Sequence, residues 1–410
     1  MAEGWSERLA PEGWLQRFDG ETVWIQAASG GEAFLLVSMV AELQKLWREK
    51  GRGKLRILAT TCTRQGMDVF ENNLRGHYEN SGPELVLRYF PLDEPSLMRR
   101  AVAQAAPAQI VLLETELWPG LLMAAWENDI PVQILNGRIT PKSMAGYGKL
   151  PLDFWKKLAP RKILAVSPAD AGRYAELFGN DAVGLMPNIK FDLISIGEEE
   201  ERTALAPDGG KIALFASVRK QEAGLVAEAI RALKDKAPGC RVLLAPRHLH
   251  HVEMWRRQIS GMGLRSVLRS EIFGPELPPQ AAIASIAPGN DGPVLIWDKF
   301  GDLKKLYSLA DCAYVGGSLA PLGGQNFLEA LSAGIEPCIG PYYSNFAWAG
   351  EEILGMARHV SGPLELASAL ERILAAPKTR QDVRKRFEKS VESQRGGTKM
   401  AVSAIWKLLD

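Results

Sequence analysis

A chain of 410 residues exceeds one ordinary hydrophobic core and fits two domains of about 200 residues. Its apolar share of 46% and charged share of 24% belong to a globular protein and exclude disorder. A formal net charge of +1 excludes a nucleic-acid binder working through bulk electrostatics, while leaving local basic patches open.

The first half alternates short β-rich runs with helix-like stretches. A strand is expected over 22–27 (TVWIQA), stopping at Ser29-Gly30-Gly31, followed by an apolar helix from Glu32 to about Lys50. Strands are then expected at 55–61, 85–89, 109–113, 132–135 and 162–166, with helices at 64–74, 95–105 and 119–127. Around 187–208 the pattern lapses into a polar stretch with four consecutive acids from Glu198 to Glu201, which reads as a linker. A second series follows: strands at 211–216, 241–245, 294–296, 312–315 and 336–339, and helices at 220–234, 250–262 and 325–333. The stretch 271–292 reads as a loop or insert, and 363–375 and 378–409 as terminal helices. Strands separated by helices mean βαβ units and parallel sheets. The expected architecture is therefore α/β, two Rossmann-like parallel-sheet domains over 1–195 and 196–410 facing an interdomain cleft, with the last helix free to pack back on the first domain. Ligands bind at the carboxyl ends of such sheets.

The four cysteines (Cys62, Cys240, Cys312, Cys338) form no CxxC pair, so a reducing compartment is expected and no zinc site or disulfide framework. The opening residues hold no long apolar run, and no stretch of about 20 apolar residues occurs anywhere. Neither a signal peptide nor a membrane span is expected; surface association with a membrane stays open.

Four places can carry chemistry. In Ser29-Gly30-Gly31-Glu32 the glycines permit a sharp turn and close approach of a ligand. Glu32 then stands at a helix N-terminus, where its ionised form is favoured and can accept a proton from a hydroxyl. The same spacing also describes a capping box. Glu114-Thr115-Glu116-Leu117-Trp118-Pro119 follows a buried strand, so its two acids are placed to bind hydroxyls or a cation, or serve as first-turn acids of a helix with Pro119 at its start. Gly316-Gly317-Ser318 and Gly323-Gly324-Gln325-Asn326 form a Gly-rich loop that exposes backbone N–H groups to a phosphate, with Glu329 positioned for a ribose; a flexible turn is the alternative. Arg247 in Ala245-Pro246-Arg247-His248 suits a phosphate or carboxylate, while His248, His250 and His251 lack the spacing of a metal site.

Taken together these segments resemble the Kdo (3-deoxy-D-manno-oct-2-ulosonic acid) transferases of lipopolysaccharide assembly. The matches run in order along nearly the whole chain: Ser29–Glu32, Glu114–Pro119, Asn136-Gly137-Arg138, Asn188-Ile189-Lys190-Phe191-Asp192, Pro246-Arg247-His248, Asp298…Gly301-Asp302-Leu303, Gly316-Gly317-Ser318 and Gly323-Gly324-x-Asn326-x-x-Glu329. The resemblance implies a GT-B fold and an inverting transfer of Kdo from CMP-Kdo to a lipid A precursor at the cytoplasmic face of the inner membrane. Glu32 would be the general base. The donor would be held by Ser217, Arg247, His248, Asp298, Gly301, Leu303, Gly317, Ser318, Gly324, Asn326 and Glu329. Ser29, Gly30, Gly31, Glu114, Glu116, Arg138 and Lys190 would serve the acceptor and sugar. CMP is a leaving group with a single phosphate, so a metal bridging two phosphates is unnecessary, and no metal and no cofactor beyond the donor is expected. The family's N-terminal membrane anchor has no counterpart in the opening residues, so either the protein has none or the sequence begins after it; the chain as given is expected to be peripheral. The chain departs from the family's pattern at Gln325, Leu322 and Ser217-Val218-Arg219-Lys220-Gln221-Glu222, which bears on specificity. The competing readings are a GT-B enzyme using a UDP-sugar, a nucleotide-sugar epimerase and a binding protein without activity.

Overall fold

The computed structural model describes residues 4–50, 53–74, 83–114, 117–196, 210–272, 278–289 and 291–409. The chain forms two units, one of Met1–Ile194 with Gln394–Asp410, the other of Ser195–Ser393.

The first unit is built on seven parallel strands: β1 Glu21–Gln26, β2 Leu55–Thr61, β3 Glu84–Tyr89, β4 Gln109–Leu113, β5 Val132–Gly137, β6 Lys162–Ala165 and β7 Val183–Leu185. Their order is β3-β2-β1-β4-β5-β6-β7, so the winding reverses between β1 and β4. The twofold alternation of strand side chains splits the core between the two sheet faces. Val23, Ile25, Val111 and Leu113 meet Leu35, Leu36 and Met39 of helix Gly30–Lys50 on one face. Trp24, Ile110 and Leu112 meet Met98 and Val102 of helix Pro95–Ala105 and Leu121 of helix Pro119–Glu127 on the other.

The last helix, Gly397–Trp406, returns to the first of these faces and buries Ala401, Val402 and Ile405 there. Buried amides hold it: Gln109 Nε2 donates to Ile405 O at 2.9 Å and Gln133 Nε2 to Ala404 O at 3.2 Å. Asp192 accepts from the N–H groups of Gly396 (2.8 Å) and Thr398 (2.6 Å), neutralising donors that a helix start leaves without partners.

The second unit repeats the plan with β8 Lys211–Val218, β9 Cys240–Pro246, β10 Ser266–Leu268, β11 Val294–Ile296, β12 Cys312–Val315, β13 Pro337–Ile339 and β14 Arg358–His359. The order is β10-β11-β9-β8-β12-β13-β14, again all parallel, with the reversal between β8 and β12. Helices Ala223–Lys236 and Pro363–Ala375 pack Val226, Ile230, Leu366 and Leu370 over Ala213 and Phe215.

Several elements differ from the sequence expectation. Helices Pro141–Tyr147, Leu152–Lys157 and Pro168–Phe178 and the three-residue strands β7 and β10 were not expected. The terminal stretch is two helices, Arg380–Glu392 and Gly397–Trp406, because Gly396 turns the chain at φ 107°. The helix expected at 325–333 begins only at Leu328. The linker's start is ordered as the 3-10 turn Ile189–Phe191, and its acidic run lies outside the described residues. The insert at 271–292 carries helix Pro279–Ala284, with part of it likewise outside them. Among the described residues no helix is long and apolar enough to cross a membrane.

Candidate functional site

In each unit the chemistry collects where the strand order reverses, because loops leaving neighbouring strands in opposite directions open a crevice there. In the first unit these loops follow β1 and β4.

After β1 the chain passes Ala28 and Ser29 into helix Gly30–Lys50, whose third residue is Glu32. The Glu32 carboxyl folds back over the helix start. Its Oε2 accepts from Ala28 N–H at 2.6 Å and its Oε1 from Ser29 Oγ at 3.0 Å, while Ser29 Oγ accepts from Glu32 N–H at 3.4 Å. The residue is thus both a helix cap and a buried acid, with 9% of its surface exposed. Burial pushes its pKa up, the charge of Glu114 pushes the same way, and the bonds from Ala28 and Ser29 oppose them. Neither Gly30 nor Gly31 has a positive φ, so the turn does not demand glycine. At Gly30 the requirement is space, since a Cβ there would lie 3.2 Å from Gln65 Cβ.

After β4, Glu114 takes φ 56°, a left-handed conformation that a glutamate adopts only under constraint. Tyr174 Oη donates to Glu114 O (2.9 Å) and to Arg138 O (3.1 Å), binding the two loops together. The Glu114 carboxyl meets Lys190 Nζ at 2.6 Å, Arg138 Nη1 at 3.8 Å and Asn136 Nδ2 at 3.4 Å. Asn136, itself at φ 56°, accepts Ile189 N–H at 2.8 Å. Within Asn188–Asp192, Asn188 Oδ1 accepts Lys190 N–H, Lys190 pairs with Glu114 and Asp192 caps the returning helix. Glu116 lies outside the described residues. The result is a polar pit in which one acid is paired with two cations and a second, buried acid has its pKa raised.

In the second unit a cavity of about 250 Å³ opens beside the ends of β8, β9 and β11. Five of the expected donor residues line it: Ser217, Arg247, Gly301, Leu303 and Glu329. Trp297, Lys299, Phe300 and Lys304 are also in its wall, and Phe300 is 75% exposed. The Glu329 side chain reaches solvent, yet the cavity walls remove enough water to push its pKa up, against the bond from Asn326 and the charge of Arg247. Asn326 holds Glu329 Oε1 at 2.8 Å.

The remaining donor residues are placed differently. Asp298 accepts from Ser270 N–H at 3.1 Å and from Ser270 Oγ and is not part of the cavity wall. His248 stands beside Arg247 among the rings of His250 and His251, 5.5 and 6.1 Å between centroids. Gly317 and Ser318 turn inward: Gly317 N–H donates to Glu222, and the Ser318 hydroxyl donates to Val315 O at 2.7 Å and accepts Gly340 N–H at 2.9 Å. Gly324, at φ 81°, donates its N–H to Gly317 O at 2.8 Å. The glycine loop is thus occupied by its own fold. Among the described residues no group of three or more His, Cys, Asp or Glu could hold a metal.

Sequence reasoning missed Tyr174, Phe300, the two cavity lysines and above all Glu222, which is buried at the second reversal point. An acid four residues beyond the end of the first strand, ahead of an apolar helix, is the signal that could have found it.

The family model for 3-Deoxy-D-manno-octulosonic-acid transferase (kdotransferase) matches residues 3–193. A 3-deoxy-D-manno-octulosonic acid transferase of Bordetella pertussis is 30% identical over 393 residues, covering 93% of this chain and 86% of the relative. Its counterpart in Haemophilus influenzae is 29% identical, covering 89% and 81%. A solved glycosyltransferase from Rickettsia africae ESF-5 superposes with a TM-score of 0.58 at 11% identity, over 96% of this chain and all of that one, which places the fold in the GT-B class.

Proposed function

Because the chain belongs to the 3-deoxy-D-manno-octulosonic acid (Kdo) transferase family, we propose that this glycosyltransferase moves Kdo from CMP-Kdo to a hydroxyl of a lipid A precursor. The observation that carries the mechanism is Glu32: a buried carboxyl on a fixed helix start, its pKa raised toward the working range of a general base.

In this reading Glu32 takes the proton of the acceptor hydroxyl. The hydroxyl oxygen bonds to the anomeric carbon of Kdo as the bond from that carbon to the phosphate oxygen breaks, so configuration inverts and CMP departs with the electron pair. Glu114, fixed by Lys190 and Arg138, offers carboxylate oxygens to sugar hydroxyls and by its charge helps hold Glu32 basic. Arg247 faces the donor phosphate, Glu329 the ribose hydroxyls and the Gly301–Leu303 turn the base, all on the cavity wall. Phe34, two residues past Glu32 and 49% exposed, supplies apolar surface for an acyl chain, whereas its neighbours Leu35 and Leu36 are core. Such an acceptor puts the reaction at the cytoplasmic face of the inner membrane.

The test is CMP release from CMP-Kdo in detergent, with and without a tetraacylated lipid A precursor, and with UDP-sugars as rival donors. Acceptor-dependent release with a product heavier by whole Kdo residues is expected. Release from a UDP-sugar alone, or epimerisation of one without acceptor, would overturn the proposal.

A further inference from the structure

At the reversal point of the second unit two segments leave the sheet side by side, 217–222 after β8 and 316–319 after β12. One carboxyl joins them. Glu222, 0% exposed, accepts through Oε1 from Arg219 N–H (2.9 Å) and Gly317 N–H (2.7 Å), and through Oε2 from Tyr314 Oη (2.8 Å). The Tyr314 oxygen in turn accepts Leu319 N–H at 3.3 Å. A Cβ on Gly316 would lie 2.6 Å from Glu222 Oε1, so the glycine is what admits the carboxyl.

The hold extends to both walls of the cavity. On one side it fixes the turn from Ser217, which lines the cavity at φ 52°, to Arg219. On the other, Gly317 O accepts Gly324 N–H (2.8 Å) and Gly316 O accepts Gln325 N–H (2.9 Å), leading directly to Asn326 and its bond to Glu329. A carboxyl out of water is costly unless donors surround it, and here the glycine-loop amide that could have met a ligand's phosphate is one of those donors.

We propose that Glu222 is a positioning residue for the donor: it is a built-in acceptor that takes the Gly317 amide, sets Ser217 and Glu329 on either side of the cavity and leaves the donor phosphate to Arg247. This rests on the donor-cavity reading above.

The experiment uses the full chain and compares wild type, Glu222→Ala and Glu222→Gln by amide exchange over 214–222 and 314–326 and by CMP titration. An amide oxygen can keep the two backbone donors, so Glu222→Gln should stay within roughly threefold of wild type in both readouts. Glu222→Ala should raise exchange in both segments and the CMP Kd by about tenfold or more, while helix Pro363–Ala375 keeps its protection. Exchange unchanged in Glu222→Ala, or loosened loops with CMP affinity intact, would overturn the proposal. So would a Glu222→Gln variant as weak as Glu222→Ala. If Glu222→Ala does not fold, Tyr314→Phe decides, because it deletes one bond to the carboxyl and should still weaken CMP binding; unchanged binding counts against the proposal. Wild-type protein indifferent to CMP would sink the donor reading alone, since the exchange comparison needs no ligand and would still decide the role of Glu222.

Discussion

Gly316→Ala is the smallest change that probes the second reversal point. Its Cβ would meet three atoms at 2.6 Å: Glu222 Oε1, Ser217 O and Val218 Cα, where ordinary contact begins at 3.4 Å. Two of those atoms are backbone of β8, which is hydrogen-bonded between β9 and β12, and Gly316 N–H is itself tied to Ala216 O at 2.8 Å. Little can yield except the carboxyl. Overpacking of this kind costs about 1–3 kcal/mol, and the rigid surroundings put this site toward the upper end. For a unit of this size that lowers the melting midpoint by roughly 4–10 °C. Calorimetry of the full chain with a parallel CMP titration reads both consequences, a lower midpoint and weaker binding. A midpoint within about 1 °C of wild type together with unchanged CMP affinity would refute the packing argument.

Two other perturbations address the first unit. Asp192→Ala removes the acceptor of the Gly396 and Thr398 N–H groups and should cost about 1–2 kcal/mol. Faster amide exchange at the start of helix Gly397–Trp406 checks it, and unchanged protection there counts against the cap. Glu114→Gln removes a negative charge that raises Glu32, so the pKa of Glu32 must fall. Only ionised Glu32 accepts a proton, so the acid limb of the kcat/KM profile should move to lower pH even if the rate drops; a limb that stays or moves up contradicts the coupling.

The alternation of strands and helices carried the architecture because parallel β-strands buried on both faces leave unmistakable apolar runs, such as QIVLL at β4. Shorter pieces escaped. β7 and β10 have three residues each and owe their existence to a neighbouring strand, not to their own pattern. The missed helices at Pro141 and Pro168 were marked in the sequence by Thr140-Pro141 and Ser167-Pro168, where the hydroxyl caps the helix and proline opens it. The site divides the same way. Glu32 and Glu114 stand at strand ends that the pattern could locate, yet their proximity depends on β4 lying next to β1, which no local signal reveals. Glu222, behind Arg219-Lys220-Gln221, reads as one more charged residue of a helix start. Its burial is decided by a loop 95 residues away. The glycines misled for a related reason: Gly316 and Gly317 suggest a phosphate cradle, and the chain fills that cradle with its own carboxylate.

The two reversal points use one device, an acid bent back onto the amide of the preceding loop: Glu32 onto Ala28 and Glu222 onto Arg219. Burial raises the pKa of both. Only Glu32 keeps some exposure, which is why catalysis is assigned to it and scaffolding to Glu222. The most direct measurement is therefore Kdo transfer from CMP-Kdo by Glu32→Gln beside wild type, with CMP affinity and melting midpoint as controls. Because burial raises Glu32, its ionised form costs stability above that pKa, and the amide relieves the cost. A general-base role for Glu32 requires transfer lowered by about a hundredfold or more, CMP affinity unchanged and an equal or higher midpoint. Near-normal transfer by Glu32→Gln would contradict it.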